Sequence, residues 1–262
     1  MKTQKLSVLN FIALSFHILM SFLVQMKYFS GQDVGQVSLK FDTVFAPAGI
    51  TFAIWGIIYI SLLAFTICHI FYAFKKPDSH QVNHDTTQIG YLFVLNNIAT
   101  GLWLLAWVNE QMLVSVLLIL IQLITLILIS IRANIANPDR PLITKLFTHI
   151  PLSIYLGWIS IATIANVSAF FKSSGWTDSE SLWTIVMIGV TCLLSLFIIL
   201  IKRNIFFGFV VLWALYGIIL KRRQIDVVQY ENIINAAYAA IFIVILAIGI
   251  RLFKIAKPYN HH

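Results

Sequence analysis

Residues 112–131 read Met-Leu-Val-Ser-Val-Leu-Leu-Ile-Leu-Ile-Gln-Leu-Ile-Thr-Leu-Ile-Leu-Ile-Ser-Ile, twenty consecutive positions without a charge. A helix rising ~1.5 Å per residue crosses a hydrocarbon core of ~30 Å in about this length. A barrel strand would alternate polar and apolar sides, which this run does not do, so it reads as a transmembrane helix. Seven further apolar segments surround it: Leu6 to Met26, Ile50 to Phe74, Tyr91 to Val108, Pro151 to Phe171, Trp183 to Ile201, Ile205 to Leu220 and Ile233 to Phe253. Of the 28 Asp, Glu, Lys and Arg residues (18 basic, 10 acidic), 27 lie outside the eight segments, and Arg251 sits in the last turn of the eighth. A charge in the middle of a spanning helix costs at least ~2.5 kcal/mol, so this exclusion follows from the bilayer as solvent. The expected fold is all-α, a polytopic membrane bundle of about eight spans. The seventh segment, at 16 residues, is the shortest.

The connections are short, which leaves the helices themselves to carry function. If all eight segments span, one side holds Lys2, Lys5, Lys75, Lys76, Arg132, Arg140, Lys145, Lys202, Arg203, Arg251, Lys254 and Lys257, twelve bases against Asp78, Asp85 and Asp139. The other side holds six bases, among them the run Lys221 to Arg223, against seven acids. The excess of bases places both termini in the cytoplasm. The net charge of +8 therefore reads as topology and contact with anionic headgroups, not as a nucleic-acid surface. The first segment follows Lys2 and Lys5 as a signal peptide would, but its apolar stretch is longer and no small-x-small cleavage site follows, so a retained helix is expected. Cys68 and Cys192 both fall inside spans and read as small packing residues.

With charges absent, the polar residues inside the spans carry the information: Asn96, Asn97, Gln122, Asn166, Asn235, His17 and His69. Pumps and ion-coupled carriers use intramembrane carboxylates or bases as relays, and these spans offer none. A retinal protein needs a lysine within a helix, which is also missing. In the fifth segment Trp158, Ala162 and Asn166 recur at i, i+4 and i+8, so they share one face over ~12 Å of axis. Trp55 and Tyr59 pair at i, i+4 in the second, and Asn96, Thr100, Trp103 and Trp107 share a face of the third. Turned together, such faces make a mostly apolar pocket with few polar anchors. Turned separately, they are helix packing held by amide hydrogen bonds.

At these positions the chain resembles the tryptophan-rich sensory protein and translocator protein family. The stretch Phe45-Ala-Pro-Ala-Gly-Ile-Thr-Phe-Ala-Ile-Trp55-Gly-Ile-Ile-Tyr59 matches that family's second helix at Pro47, Trp55 and Tyr59. Pro151-Leu-Ser-Ile-Tyr-Leu-Gly-Trp158-Ile-Ser-Ile-Ala162-Thr-Ile-Ala-Asn166 keeps the Trp, Ala and Asn of its fifth helix. Leu95-Asn96 resembles the third helix, although the Trp of the family's pattern is Ala99 here and Trp103 follows one turn later. The resemblance covers residues 6 to 171 and divides the chain into a five-helix bundle, 1–171, and three added transmembrane helices, 172–262. It implies a site for porphyrins and sterol-like lipids between helices, formed by Trp158, Ala162, Asn166, Trp55, Tyr59, Asn96, Trp103 and Pro47. The loop Ser30 to Gly49 would act as its lid.

The function expected is a membrane receptor or carrier for a hydrophobic small molecule, tetrapyrrole or sterol-like, in a sensory or regulatory role, rather than an enzyme. Alternatives are a passive small-molecule transporter, and a haem protein or porphyrin-processing protein with His17 or His69 as ligand to iron. No cofactor is required for the leading reading, although a porphyrin or haem is an expected bound molecule, and no metal site is expected. Membrane lipids are partners, and a homodimer through Ala236, Ala240 and Ala247 is the alternative to those residues packing the bundle. His261 and His262 read as a tail.

Overall fold

The computed structural model describes residues 2–176 and 178–256; Lys257, His261 and His262 lie outside them. The regular structure of the described residues is entirely helical, with no strand. Among them seven helices are long and apolar enough to cross a membrane, or eight when a pair bent by 55° is taken as one span. The chain divides into two compact units, residues 2–43 with 53–176, and residues 44–52 with 178–256.

The first unit holds α1 (Lys2–Gln25), α2 (Val34–Lys40), α3 (Ile54–Lys75), α4 (Gln81–Ile89), α5 (Leu92–Val108), α6 (Met112–Arg132) and α7 (Leu142–Ser173). Its five long helices close into a ring, α1 against α5, α5 against α6, α6 against α7, α7 against α3, and α3 against α1. The inward face of α6 shows how sequence directs this. Met112, Ser115, Ile119, Gln122, Leu126 and Ile129 are buried at alternating spacings of three and four, while Leu113, Leu117, Ile124 and Ile131 face outward. On α1 the same rhythm buries Thr3, Ser7, Asn10, Leu14 and His17. Lipid accepts the apolar outer face, so the polar residues turn inward, where Thr3 donates to Asp78 and His17 meets Asn97 of α5. At the α1–α5 crossing, a Cβ on Gly101 would sit 2.4 Å from the Phe16 ring, so glycine sets how closely these helices approach.

Pro151 reads in the sequence as the start of a helix, and the structure corrects this: α7 begins nine residues earlier, at Leu142. A π-turn over Lys145–His149 precedes the proline, so the turn absorbs the missing N–H instead of ending the helix. His149 accordingly lies in the helix and not in a loop. The expected loop 75–90 also contains α4, whose Asn83 amide donates to the carbonyls of Tyr72, Lys76 and Pro77 and so closes the end of α3. α4 is polar, and we place the third span in α5.

The first part of the expected lid is folded and tied down. Asp33 and Gln36 form a reciprocal capping box on α2. Trp107 Nε1 donates to the Val34 carbonyl at 3.2 Å, Lys172 donates to the Asp42 carbonyl, and the Lys40 ammonium lies 2.6 Å from Glu110. Lys40 first, and then the Gln32 amide, holds the Glu110 carboxyl below the usual carboxylate range.

The second unit holds α8 (Glu180–Ile201), α9 (Ile205–Ile225) and α10 (Glu231–Ala256) with the segment Val44–Phe52. The seventh apolar segment, expected to end at Leu220, continues in α9 to Ile225 and carries Lys221 and Arg222 with it. Arg222 is buried with its guanidinium over the Tyr230 ring, 4.9 Å from the centroid, which explains how a basic run prolongs the helix. Ala240 and Ala247 are buried inside this unit and Ala236 is half-buried. The segment 44–52 docks on α9: the Ala48 N–H donates to the Gly217 carbonyl at 2.9 Å, and Trp213 Nε1 donates to the Thr51 carbonyl at 2.9 Å. A Cβ on Gly217 would lie 2.1 Å from Thr51 Oγ1 and 3.0 Å from Pro47.

Gly217→Val should therefore cost about 1–3 kcal/mol by overpacking and lower the melting temperature in detergent. Gly189→Ala, where a Cβ meets nothing within 4 Å, should not. Equal melting temperatures for both would remove the docking role of Gly217. For the clamp on α2, the depressed Glu110 carboxyl contributes stability above the usual carboxylate range, and this fades as pH falls through its lowered value. Glu110→Gln should speed amide exchange across Val34–Lys40 at neutral pH; unchanged exchange would show that the ion pair holds nothing.

Candidate functional site

Inside the ring of the first unit, five rings from three helices meet. Trp55 and Tyr59 on α3 stack at 5.4 Å between centroids, as their i, i+4 spacing allows. Trp158 on α7 meets Trp55 edge-on at 6.4 Å, and Tyr155, one turn earlier, meets it at 6.2 Å. His17 of α1 lies among them, 5.9 Å from Trp55, 5.3 Å from Tyr59 and 6.4 Å from Tyr155. Edge-to-face and offset pairs of this kind each add about 0.5–1.5 kcal/mol beyond the area they bury. His17 and Tyr155 are fully buried, whereas Trp55 and Tyr59 are half-buried and form the open side of the cluster.

Hydrogen bonds fix the polar ends of these rings. The Tyr59 hydroxyl donates to Ser21 Oγ at 2.8 Å. Thr100 gives its proton to the Asn96 carbonyl, so the Tyr155 hydroxyl is the donor in its 2.8 Å contact with Thr100. His17 Nδ1 lies 3.0 Å from Asn97 Oδ1, and the Asn97 amide nitrogen donates to the Phe93 carbonyl at 2.8 Å.

A second network runs between α5, α6 and α7. Trp103 Nε1 donates to Asn166 Oδ1 at 2.7 Å, and Asn166 Nδ2 donates to Ser115 Oγ at 2.8 Å. Asn96 Nδ2 donates to the Gln122 carbonyl at 3.0 Å and to Thr125 Oγ1 at 2.9 Å. Trp103 and Trp107 stack at 5.7 Å.

The residues expected to form one site are thus distributed. Trp158, Trp55 and Tyr59 come together in the aromatic cluster. Asn166, Trp103 and Asn96 are spent on interhelical bonds, and Ala162 is half-buried between Trp158 and Asn166 on α7. Pro47 is buried in the segment docked on α9 of the second unit. Tyr155, Asn97 and His17 complete the cluster without having been expected there. The signal for His17 was its place in the buried polar row of α1, Thr3, Ser7, Asn10 and then His17 two turns on. His69 stands in a different network, with Nδ1 2.7 Å from Thr86 Oγ1 and Nε2 2.9 Å from Thr148 Oγ1. Next to it in sequence from Thr86, buried Asp85 lies 3.8 Å from Arg140. Burial pushes the Asp85 carboxyl up, against the opposing effect of its Gln81 hydrogen bond and of Arg140.

Because Asn166 pairs on both sides of its amide, Asn166→Ala should destabilise the protein by about 1–3 kcal/mol through the orphaned partners. The Ser115→Ala change on top of it should add less than its own single effect. Strict additivity in thermal unfolding would break up this network.

A family model described as TSPO-like protein matches residues 7–250. No curated protein and no solved structure matches the chain. The match runs through the ring of the first unit and on across α8, α9 and most of α10, beyond the residues 6 to 171 that carry the motifs. This multi-pass membrane protein belongs to the TSPO-like family.

Proposed function

We propose that the protein is a membrane receptor or carrier that holds a flat hydrophobic small molecule, of tetrapyrrole or sterol type, against the aromatic cluster of its first unit. The observation that carries this reading is the convergence of Trp55, Tyr59, Tyr155 and Trp158 on one place within a lipid-embedded ring of helices. Helix packing in a membrane is served by small residues, which let backbones approach. Four large aromatics, with the hydroxyls of Tyr59 and Tyr155 committed to Ser21 and Thr100, instead make a stacking surface with few polar anchors, the usual make-up of a small-molecule site. Trp55 and Tyr59 keep part of their surface accessible, so a ligand dissolved in the membrane reaches the cluster from their side. The second network, by contrast, is a fixed wall: its amides are paired across helices and set the distance between α5, α6 and α7. The twelve bases on the side of both termini, against six on the other, support a cytoplasmic location for both ends.

In a titration of the detergent-purified protein with protoporphyrin IX, followed by tryptophan quenching, binding should saturate. Trp55→Leu and Trp158→Leu should each weaken it about twofold to tenfold, the weight of one aromatic pair. Unaltered affinity in both variants, in folded protein, would remove the cluster as the site. Ligand flux into proteoliposomes then separates a carrier from a receptor, since only a carrier delivers ligand to the lumen.

A further inference from the structure

Three buried histidines sit in the first unit: His149 Nδ1 accepts the Ala136 N–H at 3.1 Å and ties down the connection after α6, while the hydrogen bonding of His17 and His69 differs in a way that assigns different roles. At His69 both ring nitrogens are engaged. The Thr86 hydroxyl proton goes to the Val82 carbonyl, so Nδ1–H donates to Thr86 Oγ1 and Nε2 accepts from Thr148. Such a ring is a structural cross-brace.

His17 is engaged on one side only. The Asn97 amide nitrogen is committed to Phe93, which fixes the orientation of the amide and turns Oδ1 toward the imidazole. An oxygen can only accept, so Nδ1 carries the proton, and the neutral ring presents a lone pair at Nε2. No Asp or Glu stands anywhere in α1, α3, α5 or α7 to favour the charged ring. Nε2 lies on the far side of the ring from Nδ1 and is therefore directed away from Asn97. It is buried and has no hydrogen-bond partner among the described residues. The neighbouring hydroxyl protons do not serve it: Tyr59 gives its proton to Ser21, and Tyr155 gives its proton to Thr100. The large majority of buried side-chain polar atoms in folded proteins are paired, and an unpaired acceptor held within a cluster of aromatic faces calls for an explanation.

We infer that His17 Nε2 is the hydrogen-bond acceptor that selects the ligand of the aromatic cluster, and that the ligand carries an O–H or N–H donor on its flat hydrophobic body. This rests on the reading of the cluster as a ligand site. Trp55, Tyr59, Tyr155 and Trp158 supply area without regard to a ligand's polar groups, whereas the fixed tautomer of His17 accepts a donor and rejects a ligand that offers only acceptors. Asn97 acts as its positioning residue. A sterol hydroxyl and the inner N–H groups of a free-base tetrapyrrole share the required chemistry.

The test compares ligands that differ only in the donor, on the full-length protein in detergent. One pair is cholesterol and its methyl ether; the other is protoporphyrin IX and its square-planar palladium chelate, which has no N–H. In the wild type the donor-bearing member of one pair should bind roughly fivefold to tenfold tighter, the weight of one hydrogen bond. The pair that shows the preference identifies the source of the donor. His17→Phe keeps a ring in place and should abolish the preference while retaining binding. If ligands bind but neither pair shows a preference, or the preference survives in His17→Phe, the role of His17 is overturned and the cluster stands as a site without it. If none of the four binds, the cluster itself is not the site and both readings fall. Should His17→Phe not fold, the 15N resonances of the wild-type histidines decide: the unprotonated nitrogen of His17 should shift on adding the donor ligand and not its partner, and an unmoved resonance overturns the inference.

Discussion

In a hydrocarbon solvent a polar atom has no partner except another atom of the protein. That constraint organises the first unit. Each spanning helix turns an apolar face outward, and what remains polar is driven inward, where most of it is paired. Gln122 and Thr125 on α6, Asn96 and Thr100 on α5, and Asn166 on α7 meet because no other surroundings accept them. In a water-soluble bundle the same amides would sit on the outside and say nothing about which helices are neighbours. Here they specify that α5 lies between α1 and α6, through His17–Asn97 on one side and Asn96–Gln122 on the other.

The same constraint explains what the sequence makes legible. Helix number and approximate extent are written in the exclusion of charge, which is why Met112 to Ile131 and Ile205 onward are recognisable at once. Ends are written less clearly, because they depend on local exceptions. Pro151 breaks a helix on average, but a π-turn over Lys145–His149 carries the chain through it. Lys221 and Arg222 should end a span, but Arg222 covers its charge with the Tyr230 ring and prolongs α9. Neither exception is visible until the neighbouring turn or ring is placed.

The candidate site was legible in part for a similar reason. Periodicity reveals which residues share a face of one helix, as with Trp55 and Tyr59, or Trp158, Ala162 and Asn166. It does not reveal how far along the axis two helices meet. Trp158 and Asn166 share a face of α7, yet Trp158 stands with the aromatics of α1 and α3 while Asn166, two turns on, reaches Trp103 and Ser115. On its own helix His17 reads as a polar residue inside a span and as a ligand to iron. Its distinguishing property, an Nε2 lone pair left over among aromatic rings, exists only once Asn97 and its Phe93 carbonyl are in place.

The loop after α1 shows how the added helices enter the design. Its first half keeps to the first unit, with α2 tied to Trp107 and Glu110. Its second half, Val44–Phe52, places backbone groups of Ala48 and Thr51 on α9 at Gly217 and Trp213. Ala48 and Thr51 are buried, so those N–H and C=O groups need such partners, and they find them on a helix that a five-helix protein would lack. Pro47, which belongs to the motif of the second helix, is held by the same docking. α9 is therefore integral to how this chain satisfies its own backbone, in keeping with a family match that runs from residue 7 to residue 250 rather than stopping at the fifth span.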